Sequence, residues 1–203
     1  MIEAKAYDIS VDKIPIVFAK SVDKTMAIEC RYIIASDGVN STIRKKLLKQ
    51  TPSRVLTYYA DIPQKETKSC QFWFGDDISP KHYSWIFPHF QGINVGLASD
   101  NQKDIANYFQ NFLKKSQLQT DLKPKGYYIP TWDREIYFEK GVFFVGDSAS
   151  MVLPFTYEGI YYAMKSATLA VDAIAEDNPT LYEKSWKKLY YKKFKFLKIL
   201  PKI

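Results

Sequence analysis

The chain has 203 residues, is 46% hydrophobic and 25% charged, and carries a net charge of +7, a balance that excludes a disordered chain and leaves room for one or two domains with a real core. It holds no run of roughly 18 apolar residues, and MIEAKAYDIS at its start is not a basic segment followed by an apolar one, so neither a spanning helix nor a signal peptide is expected. Two cysteines, Cys30 and Cys70, make no CxxC pair and no disulfide framework, which suits a reducing, cytoplasmic setting.

The basic balance fits an anionic cofactor, an anionic membrane surface or nucleic acid. The 16% aromatic share suits thick cores and pockets for apolar or planar ligands.

In chain order, residues 2–9 and 14–20 read as strands, the second being the apolar and β-branched IPIVFAK. MAIECRYIIAS reads as a third strand running to Ser36, with residues 32–35 buried. DGVNSTIRKKLLKQ follows as a turn into a basic helix, with Ser41 as its N-cap and Pro52 closing the segment.

Residues 54–61, 68–74, 83–87 and 92–98 are spaced as an antiparallel set. NQKDIANYFQNFLKKSQL places Ile105, Tyr108, Phe109 and Phe112 on one helical face, which is expected to pack on a core. KPKGYYIPTW reads as an irregular connection because of Pro124, Gly126 and Pro130. An apolar strand over 142–145 and a helix over 158–176 come next.

The chain closes on a lysine-rich helix from Tyr182 to Leu200. Its pattern sets Trp186, Leu189, Tyr190, Phe194, Leu197 and Leu200 on one side and most lysines on the other. Packing on its own domain is the preferred reading, and contact with an anionic membrane surface is the other. Strands and helices mix without regular alternation, which points to α/β or α+β with one large sheet.

Two stretches carry chemistry. ASDGVNSTIRKKL holds Asp37, Gly38, Ser41 and Arg44 after one apolar strand. GDSASMVLPFTYEGIYYAM holds Gly146, Asp147, Pro154, Glu158, Gly159 and Ile160 after another. The simple reading of each is a strand-to-helix turn with a capping acid. The alternative is a cofactor seat. A carboxylate at a strand end can accept hydrogen bonds from ligand hydroxyls, and a helix N-terminus presents free N–H groups and a positive dipole end. Small residues there let backbone approach a ligand.

The first stretch resembles the DG motif, and the second the GD motif, of the large FAD-dependent oxidoreductases of the aromatic hydroxylase type. PKHYSWIFP, with Tyr83, Trp85 and Phe87 on one face of a strand, is similar to a motif of the geranylgeranyl reductases, and GYYIP and PFTYEGIYYAM are also closer to that family. The resemblance spans roughly residues 28–175.

It implies a partial glutathione-reductase-like FAD domain interrupted by a substrate domain with a large antiparallel sheet. The expected segments are 1–51 (partial FAD domain), 52–135 (substrate domain), 136–178 (return to the FAD domain) and 179–203 (C-terminal helix). It further implies FAD as cofactor, an isoprenoid lipid as substrate, and hydride transfer from reduced flavin to carbon–carbon double bonds. By that resemblance Asp147 meets the ribityl chain, backbone near Glu158, Gly159 and Ile160 faces the flavin ring, Asp37 helps arrange the pyrophosphate region, and Arg44 sits in the following helix, either near the cofactor or simply as a solvated helix residue. Tyr83, Trp85 and Phe87 are pocket candidates, with core packing as their simple alternative. A flavin monooxygenase of the aromatic hydroxylase type and a non-catalytic module for an apolar ligand or partner are the other readings.

The sequence departs from that pattern in two places. No G-x-G-x-x-G turn occurs, so FAD binding by this chain alone is expected to be weak or absent, and a separate N-terminal FAD-binding chain becomes a candidate partner. Tyr157 stands where the family has the first glycine of G-x-G-I.

His82 and His89 are the only histidines and no Cys/His cluster has ligand spacing, so no metal is expected. No nucleic-acid-binding pattern and no G-x-S-x-G appear, so neither nucleic-acid binding nor hydrolysis is expected.

Overall fold

The computed structural model describes residues 2–63, 69–133 and 136–200. Three short strands come first: β1 (Lys5–Ser10), β2 (Ile16–Lys20) and β3 (Thr25–Glu29), an antiparallel meander in the order β1-β2-β3. Next are β4 (Ile33–Ala35) and helix α1 (Thr42–Leu48). Strands β5 (Arg54–Ile62), β6 (Gln71–Trp73), β7 (Ser84–His89) and β8 (Gly92–Ser99) lead to helix α2 (Ile105–Lys115) and strand β9 (Lys125–Pro130). The chain then runs through β10 (Phe138–Glu139), β11 (Val142–Phe144), a 3-10 turn (Gly146–Ala149) and helix α3 (Ile160–Ala175). Helices α4 (Thr180–Trp186) and α5 (Lys192–Ile199) are joined by a π-helical turn over Lys187–Tyr191. No helix among the described residues is long and apolar enough to cross a membrane.

Two compact units result. One joins the chain up to Ser53 with Pro130–Ile199, and the other is built on Arg54–Ile129.

In the first unit β11 lies between β10 and β4, antiparallel to one and parallel to the other. The β10–β11 hairpin closes through Lys140 and Gly141, at φ 46° and 81°. Two successive left-handed residues give the turn whose twist matches that of the flanking strands. Phe143, Phe144, Tyr162, Tyr182, Trp186 and Phe194 are fully enclosed in this core. Such side chains each contribute about 1.5–3 kcal/mol on burial. The Tyr182 hydroxyl donates to the carbonyl of Phe144 at 2.6 Å, so its polar tip is satisfied inside the core.

In the second unit the order is β6-β7-β8-β5-β9, and the β5–β8, β6–β7 and β7–β8 pairs are antiparallel. Alternation sends Ile86, Val95, Leu97, Ala60 and Ile62 to one face, where Ile105, Phe109, Phe112 and Leu113 of α2 cover them. The predicted α2 face is thus the buried one, except that Tyr108 is only partly covered.

Three expectations need correction. The single strand over MAIECRYIIAS is two strands in different sheets. The Cys30 N–H bonds to Pro15 O at 2.9 Å, ending the meander, and the Ile33 N–H bonds to Gly141 O at 2.9 Å, opening the next ladder. KPKGYYIPTW is not irregular throughout, because Lys125–Pro130 forms edge strand β9, which tolerates Pro130 at its last position. The C-terminal helix is interrupted by the π turn, which changes the face it buries. The predicted start of a strand at residue 68 and the expected segment boundary at 135 lie outside the described residues, as do residues 1 and 201–203.

Candidate functional site

Strands β4 and β11 are parallel, with Phe144 opposite Ala35, so the two motif loops leave their carboxyl ends side by side. In a parallel sheet that is where ligands bind. The loops are tied together. The Val145 N–H bonds to Ala35 O at 3.1 Å, and the buried Ser148 hydroxyl lies 2.5 Å from the same carbonyl. Arg44, also fully buried, donates from Nη1 to the carbonyl of Ser148 at 2.7 Å. It is therefore not a solvated helix residue.

Asp37 sits at the start of α1. Its Oδ2 accepts the N–H groups of Thr42 and Ile43 at 2.7 and 3.1 Å, while Ser41 Oγ accepts the Arg44 N–H at 2.9 Å. Asp37 and Ser41 share the capping of one helix. Gly38 takes φ +78°, and its carbonyl accepts the Ser41 N–H at 3.0 Å.

Asp147 behaves differently. Its carboxylate is half-buried, makes no hydrogen bond among the described residues, and caps no helix. Burial pushes its pKa above the ordinary value of 3.8. Its Oδ1 stands 3.4 Å from where a Cβ on Gly159 would be. Gly159 precedes α3 without a side-chain cap, so the first N–H groups of that helix have no acceptor within it. A carboxylate awaiting donors thus adjoins backbone donors awaiting acceptors, and Gly159 leaves the space beside both open.

The loop between them is tightly wound. Ser150, Phe155 and Tyr157 are left-handed at φ 57°, 82° and 57°. The Leu153 N–H bonds to Glu158 O at 2.8 Å, and the Tyr157 N–H to Leu153 O at 3.0 Å. Such conformations cost of order 1–3 kcal/mol each and gather where a site demands them. Tyr157 therefore keeps the backbone shape a glycine would take at that position. Pro154 is partly buried in this loop, the Glu158 side chain is exposed, and Ile160 is 79% exposed.

Gly146 is fixed by a close approach. Its φ is +57°, a Cβ there would meet Ala163 Cβ at 2.9 Å, and its N–H bonds to Ser166 Oγ at 3.0 Å. Ser148 is expected from the sequence only as a helix cap or as a small residue that lets backbone approach a ligand, yet its hydroxyl also ties the two loops. Ser166 is a supporting residue with no spacing signal of its own.

In the second unit Tyr83, Trp85 and Phe87 do share a face, the one opposite α2. Trp85 stacks on Phe87 at 5.9 Å, and Phe72 stands edge-on to both Tyr83 and Phe87 at 5.3 Å. Trp85 pairs across the ladder with Gly96, and any Cβ there would strike the indole ring. The indole N–H donates to Asn94 Oδ1 at 2.7 Å, and Asn94 donates onward to Asp61 Oδ1 at 2.8 Å. Phe72 and Phe74 remain about half exposed, so the rings form an open aromatic ledge with one polar end. Burial pushes the Tyr83 pKa up to about 12, so its hydroxyl stays protonated at neutral pH. Phe72 was legible in the alternation of QFWF, whereas Gly96 and Asn94 gave no local signal. No cluster of metal-ligating side chains occurs among the described residues.

Residues 51–128 match the family model of the geranylgeranyl reductase catalytic domain. A chloroplastic geranylgeranyl diphosphate reductase of Arabidopsis thaliana is 28% identical over 91% of this chain and 44% of its own length. A digeranylgeranylglycerophospholipid reductase of Methanocaldococcus jannaschii is 26% identical over 92% of this chain and 55% of its own. The chain spans about half the length of the curated relatives it matches. Among solved structures, a geranylgeranyl bacteriochlorophyll reductase-like protein of Thermoplasma acidophilum superposes with a TM-score of 0.78 at 21% identity, covering 98% of this chain and 59% of that one. A flavin-dependent halogenase superposes at 0.72 with 15% identity, covering 94% and 40%. These superpositions bear out the fold, a mixed helix-and-sheet architecture like that of FAD-dependent oxidoreductases.

Proposed function

We propose that this chain, which is of the geranylgeranyl reductase family, supplies the flavin-ring seat and the substrate sheet of an FAD-dependent isoprenoid reductase. The observation that carries the reading is the half-buried carboxylate of Asp147, without a partner among the described residues, next to the open N-terminus of α3.

The residues present fit the flavin half of FAD. Asp147 would accept hydrogen bonds from ribityl hydroxyls. The N–H groups at Gly159 and Ile160 would meet the pyrimidine edge of the ring, and Gly159 permits the close approach. Arg44 ties the two loops together, and Asp37 caps the helix that carries Arg44. The bound flavin, once reduced, would supply hydride to a carbon–carbon double bond. In the other unit the aromatic ledge of Tyr83, Trp85, Phe87 and Phe72 would receive the apolar chain.

No G-x-G-x-x-G turn lies within the 203 residues, so no seat for the adenine half is assigned to them. The family match falls on the sheet carrying PKHYSWIFP, which favours the reductase over the monooxygenase.

The test is titration of the purified chain with FMN and with FAD, read by flavin fluorescence quenching. Both are expected to bind weakly, with similar affinity, and to lose at least tenfold with Asp147→Ala. Flavin binding indifferent to that substitution would overturn the seat. A large preference for FAD over FMN would show that the adenine half is held here after all.

A further inference from the structure

The C-terminal helical segment was expected to turn its apolar residues inward and its lysines outward. The structure divides them otherwise. Tyr182, Trp186 and Phe194 are fully buried, and Tyr190 and Leu197 are half-buried against the same core. Trp186 and Phe194 are eight residues apart, about 80° out of line in a regular α-helix. The π turn over Lys187–Tyr191 takes up one extra residue and brings both rings to the same side, 5.6 Å apart.

The opposite side is left with Leu189, Phe196 and Ile199, exposed to 57%, 59% and 74%. Exposed Lys188, Lys192 and Lys195 stand between them. From Lys184 to the end of the chain there is no acidic residue. Glu183, just before it, is taken up by Lys187 at 2.6 Å.

We infer that this outer face of residues 184–199 docks in the plane of a lipid bilayer bearing anionic headgroups. The lysines complement the negative surface, and their aliphatic stems flank apolar side chains long enough to enter the headgroup boundary. At 1.5 Å per residue the segment lies about 24 Å along that surface, and it does not span the membrane. A nucleic acid would satisfy the lysines but leave Leu189, Phe196 and Ile199 in water. The inference is independent of the flavin seat, and either can fail alone.

Sedimentation of the full chain with phosphatidylcholine vesicles, with and without phosphatidylglycerol, tests it. Phe196→Trp adds a reporter on the face itself. Expected are at least tenfold stronger binding to the anionic vesicles and a blue shift of the new tryptophan's emission on binding. Phe196→Ser with Ile199→Ser should reduce binding about tenfold, and Lys188→Glu with Lys192→Glu should abolish the anionic preference. Circular dichroism melts confirm that these surface variants stay folded. Equal binding to neutral vesicles, full binding by the serine variant, or an unshifted emission would each overturn the inference. So would equal affinity for polyglutamate, which would assign the face to an acidic protein instead.

Discussion

Arg44 Nη1 and the backbone carbonyl of Ser148 meet at 2.7 Å across 104 residues of sequence, and neither residue has exposed surface. One end of this bond lies in the helix of the first motif and the other in the 3-10 turn of the second. The guanidinium holds one loop against the other, next in sequence to Asp147.

Removal of that contact should be costly. Arg44→Met leaves the Ser148 carbonyl buried without this donor, and an unmet buried acceptor costs about 1–3 kcal/mol. We expect a loss of that order in urea unfolding, with weakened flavin binding. Arg44→Lys should not restore either, since an ammonium lacks the planar fork. An Arg44→Met chain as stable as the parent would show that the contact is incidental.

The glycines of the two motifs should separate by cause. Gly146→Ala meets both an unfavourable φ and the Cβ of Ala163 at 2.9 Å, whereas a Cβ at Gly38 meets nothing within 4 Å. Gly38→Ala should cost about 1 kcal/mol from backbone strain alone, and Gly146→Ala about 2–4 kcal/mol. Thermal melts of the two variants give the comparison, and equal losses would contradict the close approach at Ala163.

Asp147 should trade stability for binding. Burial raises its folded pKa, so as pH rises the unfolded chain gives up this proton before the folded one does. The resulting penalty is absent below the ordinary value of 3.8, grows as pH climbs through the folded value, and is complete above it. Asp147→Asn should therefore melt higher than the parent at pH 7, with the difference fading as pH falls towards that ordinary value. The same variant should bind FMN less tightly. A lower melting point at pH 7 would mean that the carboxylate has a stabilising partner.

Gly159→Ala should affect binding alone. A Cβ there would lie 3.3 Å from Val152 Cγ2 and 3.4 Å from Asp147 Oδ1, contacts that small shifts relieve. We expect stability within about 1 kcal/mol of the parent, and FMN affinity reduced at least tenfold by the methyl group beside the carboxylate. Unchanged affinity would place the ligand elsewhere.

In the second unit, Gly96→Ala should displace Trp85, because a Cβ would overlap the indole ring and press on Tyr59 Cβ at 2.7 Å. Loss of the Asn94 hydrogen bond and of ring packing should shift the tryptophan emission and cost about 2–3 kcal/mol. An unaltered spectrum would show that the ledge is looser than the 5.9 Å stacking with Phe87 implies.

The sequence by itself determined whatever local chemistry writes plainly. Ser41 had to cap α1, because a hydroxyl three residues before a helical N–H satisfies it. Ile105, Phe109 and Phe112 had to face a core, and Tyr83, Trp85 and Phe87 had to share a side of their strand, because periodicity alone sets those directions. Only the tertiary structure decided what depends on partners distant in the chain. Cys30 ends one ladder and Ile33 opens another because Pro15 and Gly141 offer their carbonyls. Asp37 and Asp147 look alike in sequence, yet the first meets the free N–H groups of α1 while the second finds no donor among the described residues and stays poised beside Gly159. A π turn puts Trp186 and Phe194 inside and leaves Phe196 outside, a choice no periodicity records, because core space rather than helical propensity fixes which rings can be enclosed.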